Sequence, residues 1–413
     1  MKAALQSRLF APLVSTAGWG GRATRAEVNL DVIAANVREL RRLVQPALLL
    51  VVAKADGYGH GSVPVARAAL EAGADRIGVY TVDEAVALRL AGILAPVLVF
   101  GPFTRAEAGL IWDHDLTPMI SSYEGALALQ EHSRGRKLRY HVKIDTGLTR
   151  AGVEPENLLP LVAKLSTFSA LEREGVFTHF ARADEKAKHS TLSQFENFRQ
   201  AVQRLEEAGY SFPLRHAANS SAILDLPETY LDMVRTGIGV YGYYPSGEVG
   251  RTVPLRPALS LVSNISRIHK VAKGTGVGYG HEFVCEHEAS IALVPIGYGD
   301  GLPRTFGLTN GSVLVNGRPA PVVGRVSMDQ ITVDVSKAGK VHMGDPVTLI
   351  GDQDGTVQTA DDVARQTSTI SYDILTGLLP RVPRLYVRDG RIVGVRRYLP
   401  SEPTPLGDES AQA

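Results

Sequence analysis

Apolar residues along this chain fall into two textures, and the change comes after Pro257. Before it, short strand-like runs alternate with longer stretches whose apolar positions recur at helical spacing. The runs are LLLVVAK (48–54), RIGVY (76–80), PVLVF (96–100), TPMI (117–120), LRYHVKID (138–145), REGVFTHF (173–180), PLRHAAN (213–219) and LDMVRTG (231–237). A run like Leu48 to Ala53, bounded by turn residues, is too short for a buried helix and reads as a strand covered on both faces. Between most runs lie helical patterns such as VPVARAALEAGA, TVDEAVALRLAG and TLSQFENFRQAVQRLEEAG. Ahead of them stands a short strand, AEVNL. A helix follows it, with Val32, Ile33, Asn36, Val37, Leu40 and Leu43 forming one stripe. Eight strands with intervening helices predict an α/β fold with an N-terminal (β/α)8 TIM barrel. A doubly wound open sheet has the same periodicity and is the rival.

After Pro257 long helical patterns vanish and β-rich segments take over: ALSLVSNISRIHKV, ASIALVPIGYG, GSVLVNGRPAPVV, QITVDV, DPVTLIG and RLYVRDGRIVGV. Asn316-Gly317 and Asp389-Gly390 suit tight hairpins, and one short helix, TADDVARQT, interrupts. This predicts a C-terminal mostly-β domain. The expected organisation is a flexible extension over 1–24, the barrel over 25–255, the β domain over 256–395 and a disordered tail over 396–413. The strand at 26–30 is a candidate to pair with the C-terminal domain.

Composition narrows the function classes. The 413 residues exceed what one core usually holds, which agrees with two domains. A net charge of +1 gives no footprint for nucleic acid. The single cysteine, Cys285, excludes an intrachain disulfide framework and reads as a plain thiol. Cys285 and His287 lack two further ligands for zinc, so no metal is expected. No apolar stretch of about 18 residues exists, so no membrane span is expected. Lys2 and Arg8 precede an apolar run, Leu9 to Val14, that is too short and Pro-broken for a signal peptide. The expected location is cytoplasmic.

In a barrel, chemistry collects at the C-terminal ends of the strands. Those ends carry Lys54 and a Gly-rich Tyr58 loop, then Lys143, Asp145 and Arg150, then His179, then Asn219-Ser220, then Arg235 and Gly237-Ile238-Gly239. Two lysines, two arginines and a histidine on one rim suit an anionic ligand such as a phosphate. Lys54 closes an apolar strand, where burial lowers an amine's pKa and readies it to attack a carbonyl as a Schiff-base lysine. The glycines after it let a backbone approach a ligand closely. Gly237 to Gly242 spell G-x-G-x-x-G, but no helix opens there, so no dinucleotide site is read. Backbone N–H groups of Gly237 and Ile238 suit a single phosphate.

The motifs VVAKADGYGHG, VKIDTGLTRAG, FTHFARADE, HAANSSA, VRTGIGVYG, GVGYG, PIGYGDGLPR, GRVSMDQ and ISYDILTGL occur together and in order. With them the chain resembles the alanine racemase family over residues 25–390. The resemblance implies a pyridoxal 5'-phosphate enzyme that interconverts L- and D-alanine and supplies D-alanine for peptidoglycan. It also implies a homodimer with active sites at the subunit interface. By resemblance, Lys54 holds the cofactor and is one of two bases. Tyr279 is the other and reaches in from the partner subunit. Arg235 is similar to the residue facing the pyridine nitrogen, with His179 linking it to the tyrosine. Tyr58, Ser220, Gly237, Ile238 and Tyr372 resemble the phosphate set, with Asn219 and His216 beside it. Arg150 and the backbone of Met328 resemble the substrate-carboxylate contacts. Lys143 matches a position open to carbamylation, Asp329 a support for Tyr279, and Tyr298 and Tyr372 the lining of the access path. Ser327 stands where many relatives carry cysteine.

Two rivals are weaker, and a third stays as the alternative. A non-catalytic cofactor-binding barrel resembles only the N-terminal half and has no use for Tyr279 and Met328. A decarboxylase for basic amino acids needs an acidic partner for the pyridine nitrogen, where this chain has Arg235. A broad-specificity amino-acid racemase uses the same residues with a wider access path.

Overall fold

The computed structural model describes residues 9–10 and 20–398. Most of the expected N-terminal extension, and the tail from 399 onward, lie outside the described residues. The chain enters on β1 (Arg25–Asn29) and turns at once into helix α1 (Leu30–Val44). Asn29 caps that helix, its side chain accepting from Val32 N at 3.0 Å. Val32, Ile33, Asn36, Val37 and Leu40 are its buried face, the stripe seen in the sequence.

Eight parallel strands follow: β2 (Leu48–Val52), β3 (Arg76–Val79), β4 (Val97–Val99), β5 (Thr117–Ile120), β6 (Leu138–Lys143), β7 (Leu171–Phe177), β8 (Leu214–His216) and β9 (Met233–Thr236). Their order is β8-β7-β6-β5-β4-β3-β2-β9, each pairing with its sequence neighbour except that β9 returns to β2. Between β8 and β9 the ladder is replaced by two backbone bonds, Asp232 N to Arg215 O at 3.1 Å and Arg235 N to Ala218 O at 3.0 Å. That ring excludes the doubly wound sheet, whose strand order reverses at an internal switch point. β2 shows why the run was continuous: Leu49, Leu50 and Val51 are wholly buried, covered inside by the barrel and outside by helices.

Beyond Pro257 the chain is mostly strand. One sheet of eight strands runs Arg318–Pro321, Ser312–Val315, Pro346–Gln353, Leu259–Asn264, β1, Arg384–Arg388 and Arg391–Arg396, with Thr356–Gln358 added to Pro346–Gln353. A second sheet has three strands, Arg267–Val271, Ala289–Val294 and Ile331–Asp334. β1 therefore sits inside the C-terminal sheet, antiparallel to Leu259–Asn264 and parallel to Arg384–Arg388. Asn316-Gly317 and Asp389-Gly390 take positive φ at both positions, as tight hairpin turns require. Where the sequence shows one helix there are two, Ala360–Gln366 and Ser371–Thr376. The second spans two short turns of ISYDILTG, too brief for a periodic signal. Arg22 and Thr24, at the end of the expected extension, are anchored: both donate to Pro295 O, at 2.8 and 2.6 Å.

α1 is tied to the segment that leaves the barrel. Asn36 Nδ2 donates to Val240 O at 3.0 Å and Arg256 O at 2.8 Å, while its Oδ1 accepts from Arg256 N at 3.0 Å. Replacing Asn36 with alanine strands three backbone groups in a buried place. We expect a loss of about 3 kcal/mol, read as a lowered urea midpoint with unchanged m.

Candidate active site

Lys54 follows β2 by two residues and opens a left-handed turn. Ala55, Asp56, Gly57 and Tyr58 have φ of 50, 54, 60 and 51°. Left-handed backbone costs about 1–2 kcal/mol for each residue bearing a Cβ, so the turn is strained at Ala55, Asp56 and Tyr58. Glu84 secures its start: the carboxylate accepts from Ala55 N at 2.6 Å, Tyr80 N at 2.9 Å and Thr81 N at 3.1 Å. Gly59 continues at positive φ, and a Cβ there would lie 2.0 Å from the Leu375 carbonyl oxygen, so no side chain fits.

The turn brings Lys54 into a cluster of cations. Burial lowers the Lys54 amine below its usual value, and the Arg150 charge lowers it further. Burial, then Arg150, then Arg235 bring Lys143 down to about 8. His179 lies well below its ordinary value through burial and the charges of Arg235, Arg150, Lys143 and Lys54. The structure thus gathers Lys54, Lys143, Arg150, His179 and Arg235 around one space, though they come from four strand ends. Asp145 offsets these charges only in part: its charge favours protonated Lys143, but burial, Arg150 and Arg235 outweigh it. It accepts from the N–H groups of Gly147, Leu148, Thr149 and Arg150, each at 3.0 Å, and so shapes the loop that carries Arg150.

Arg235 is buried, and among the described residues no carboxylate bonds it. Its Nη1 donates to His216 Nδ1 at 2.8 Å, and its Nη2 donates to Thr178 O at 2.7 Å and Ala217 O at 3.0 Å. His179 Nδ1 lies 3.4 Å from the same Nη2, a long contact for the expected link. The chain of contacts continues through the barrel interior. His216 Nε2 meets His141 Nδ1 at 2.8 Å, His141 Nε2 meets Glu174 at 3.0 Å, and Arg76 grips Glu174 with two bonds at 2.9 and 3.0 Å. Burial works to raise the Glu174 carboxyl, but His141 and Arg76 outweigh it and hold it at about 2. Burial lowers Arg235 to about 9, which leaves it cationic at neutral pH.

A second group of residues forms a cradle. Ser220 Oγ accepts from Gly237 N at 2.9 Å. A Cβ on Gly237 would fall 2.4 Å from Tyr58 Oη, so only glycine lets that phenol close on the backbone. Tyr58 stacks on Tyr241 with centroids 4.6 Å apart and lies 6.0 Å from Tyr372. Ile238 is buried behind them and begins a short 3-10 turn. Asn219 caps the helix Ser220–Asp225, its side chain accepting from Ala222 N at 3.1 Å.

Two family models, described as alanine racemase N-terminal domain and C-terminal domain, match residues 28–245 and 258–386. The chain belongs to the alanine racemase family. Among its relatives, alanine racemase 2 of Caldanaerobacter subterraneus is 42 % identical over 382 residues, 92 % of this chain and 98 % of that one. The alanine racemase of Desulforamulus reducens is also 42 % identical, over 88 % of this chain and 98 % of its own length. Among solved structures, an alanine racemase of Clostridium difficile 630 gives a TM-score of 0.86 at 36 % identity, covering 92 % of this chain and 99 % of that one. The alanine racemase from Bacillus anthracis with bound L-Ala-P gives 0.87 at 37 % identity, covering 94 % and 99 %.

The remaining residues that the alanine racemase resemblance singles out sit on the β-rich part. Tyr279 lies between the paired segments Gly276–Val277 and Phe283–Val284 and is 67 % exposed. Met328 is 53 % exposed, and neither residue is joined to Lys54 by a hydrogen bond or ring contact among the described residues. Tyr298 N donates to Ser327 O at 3.0 Å, which sets the Tyr298 and Met328 loops side by side. Asp329 accepts from Arg381 Nη1 at 2.8 Å rather than meeting Tyr279. Arg381 also donates to Met328 O at 2.9 Å and to the buried Asp300 at 2.8 Å, so one guanidinium gathers both loops.

Sequence reasoning missed Arg76, His141 and Glu174. They lie one strand turn below the rim, where inward residues read as core. One signal was present: a Cβ on Gly175 would lie 2.3 Å from His141 Nδ1, and a glycine inside a barrel strand marks such a close approach.

Two expectations follow. An arginine only donates, so His216 Nδ1 must accept, and both histidines are held neutral with the proton on Nε2. Nitrogen NMR should show neutral Nε2–H tautomers for His141 and His216 from pH 5 to 8, since burial lowers both pKa values. A protonated or Nδ1–H form at neutral pH would contradict the network. Lys143 binds its proton less tightly folded, at about 8, than unfolded, near 10.5, so its charging opposes folding at neutral pH. In cofactor-free protein, Lys143→Met should be more stable than wild type at pH 7, on the order of 2 kcal/mol. As pH rises from about 8 toward 10.5, that advantage should vanish.

Proposed function

We propose that this protein interconverts L- and D-alanine with pyridoxal 5'-phosphate as its cofactor. The observation that carries the reading is the cluster of Lys54, Lys143, Arg150 and Arg235 at the barrel rim, which the Asp145 carboxylate only partly offsets. Mutual repulsion of that kind is relieved by a dianionic phosphate and a substrate carboxylate. Ser220, Gly237, Ile238, Tyr58 and Tyr372 would hold the phosphate, and Gly237 leaves the close approach that a backbone cradle needs. When bound, pyridoxal phosphate supplies an electron sink that acidifies the substrate Cα–H.

The chain's own groups do the rest. The lowered pKa of Lys54 raises the share of neutral amine, the form that takes a proton from Cα on one face. The partner subunit's Tyr279 then serves the other face, because racemisation needs delivery opposite to removal. Arg235, which offers hydrogen-bond donors and no acceptor, would face the ring nitrogen and would not favour its protonation as a carboxylate would. Arg150 and the Met328 backbone N–H hold the substrate carboxylate, and Lys143, free or carbamylated, orients Arg150. The exposure of Tyr279 and Met328 supports a homodimer in which each subunit completes the other's site. A cytoplasmic role in supplying D-alanine for peptidoglycan belongs to the same reading, and a deletion strain should need D-alanine to grow.

A chiral assay over a panel of amino acids, with and without added pyridoxal phosphate, tests the activity. Alanine should racemise fastest. Comparable rates with larger side chains would make it a broad-specificity racemase, and none at all a non-catalytic barrel. Lys54→Ala should abolish turnover, and Tyr279→Phe should lower kcat by about 10²–10⁴. Mixing those two inactive variants should restore roughly a quarter of wild-type activity, because about half of the exchanged dimers are hybrids and each hybrid carries one intact site of two. No recovery after demonstrated subunit exchange would refute a base supplied by the partner.

A further inference from the structure

The left-handed turn after Lys54 needs something to hold it, and the two last strands of the C-terminal sheet reach it at both ends. Asp56 and Arg396 form a two-pronged pair, Nη1 to Oδ1 at 2.7 Å and Nη2 to Oδ2 at 2.5 Å. Asp56 Oδ1 also accepts from Ser62 N at 3.1 Å, so the carboxylate ties the turn to the helix that follows it. Arg384 Nε donates to Gly59 O at 3.1 Å, and its other nitrogens bind the carbonyls of Leu378, Leu379 and Val382.

Arg384 and Arg396 are partners across the ladder of Arg384–Arg388 with Arg391–Arg396. Like charges directly opposite on a sheet repel, and the Arg396 charge indeed acts against Arg384. A sheet built for its own stability would avoid that pair. Here both guanidinium groups point to the turn, one to a carboxylate and the other to a carbonyl. Arg396 also lies past residue 386, where the match to the C-terminal family model ends.

We propose that Arg396, through Asp56, is a positioning residue for Lys54. It keeps residues 55–59 in the left-handed form and so fixes where the amine enters the site. This rests on the reading of Lys54 as the cofactor lysine. Two features make the pair suited to the task. A bidentate fork fixes orientation as well as distance. Neither Asp56 nor Arg396 is among the charges that shift Lys54, Lys143 or His179, so the pair restrains the backbone without taking a charge from the site.

The test uses the full chain without cofactor. Hydrogen–deuterium exchange is measured by mass spectrometry on wild type, Arg396→Gln, Asp56→Asn and the double variant. Exchange over 55–61 should rise roughly fivefold in each single variant, the scale of a half-exposed bidentate pair. The double variant should be no faster, since either change removes the same pair. Exchange over 48–52 and 76–79 should not move. The dissociation constant for added pyridoxal phosphate should rise by a similar factor, and the amine–cofactor absorption band should weaken in step. Unchanged exchange over 55–61 in a folded variant overturns the proposal. So does equal acceleration through the barrel strands, which marks a merely structural staple. Should Arg396→Gln fail to fold, Asp56→Asn decides alone, because it alters one rim side chain. A wild-type protein inactive toward alanine would sink the racemase reading, yet the exchange result would stand, being read without substrate.

Discussion

The structure turns on a buried guanidinium. Arg235 sits inside the barrel mouth with no carboxylate bonded to it among the described residues, an arrangement that ordinary electrostatics disfavours. Its counter-charge, Glu174, is reached only through two imidazole rings. Because an arginine donates and never accepts, every bond along that line has one permitted polarity. The polarity makes His216 and His141 neutral and leaves Glu174 ionised in the grip of Arg76. The carbonyls of Thr178 and Ala217 then hold the guanidinium plane. Arg235 is thus fixed in charge and direction, and the rim is assembled around it.

The rim is costly to the fold. Lys54, Lys143 and His179 all have their protonated forms disfavoured, first by burial and then by neighbouring cations. The turn that carries Lys54 adds backbone strain at Ala55, Asp56 and Tyr58. Such a site is compensated from outside itself. Glu84 holds the start of the turn, the Asp145 carboxylate holds the Arg150 loop, and the C-terminal strands bond the turn at Asp56 and Gly59.

The two folding units are joined at the very start of the chain. β1 belongs to the C-terminal sheet, yet it runs straight into α1, whose Asn36 is bonded to the segment leaving the barrel. The sheet that carries Arg384 and Arg396 is therefore held in register with the barrel through β1, which pairs directly with Arg384–Arg388. Tyr279 and Met328, by contrast, stand exposed on the same β-rich part. One edge of that part serves its own barrel through Arg384 and Arg396, while Tyr279 and Met328 face outward.

Much of this was legible in the chain. All eight barrel strands announced themselves as strand-like runs, and β2 and β4 as purely apolar ones, because they are covered on both faces. The stripe on α1, the Asn-Gly and Asp-Gly hairpins and the ordered motifs around Lys54, Arg150, Ser220 and Arg235 depend only on local spacing, which sequence records directly. Residues whose role is set by distant partners were not legible. Glu174 and His141 read as strand interior until β6, β7 and β8 brought them to His216. Arg396 fell in the expected tail until a ladder set it beside Arg384. Even the place of β1 was open, since period and composition name a strand but not its neighbours. Spacing along a chain determines which elements form and which side chains share a face, whereas the long-range pairing of those elements decides where charges meet, and a charge takes its meaning from what it meets.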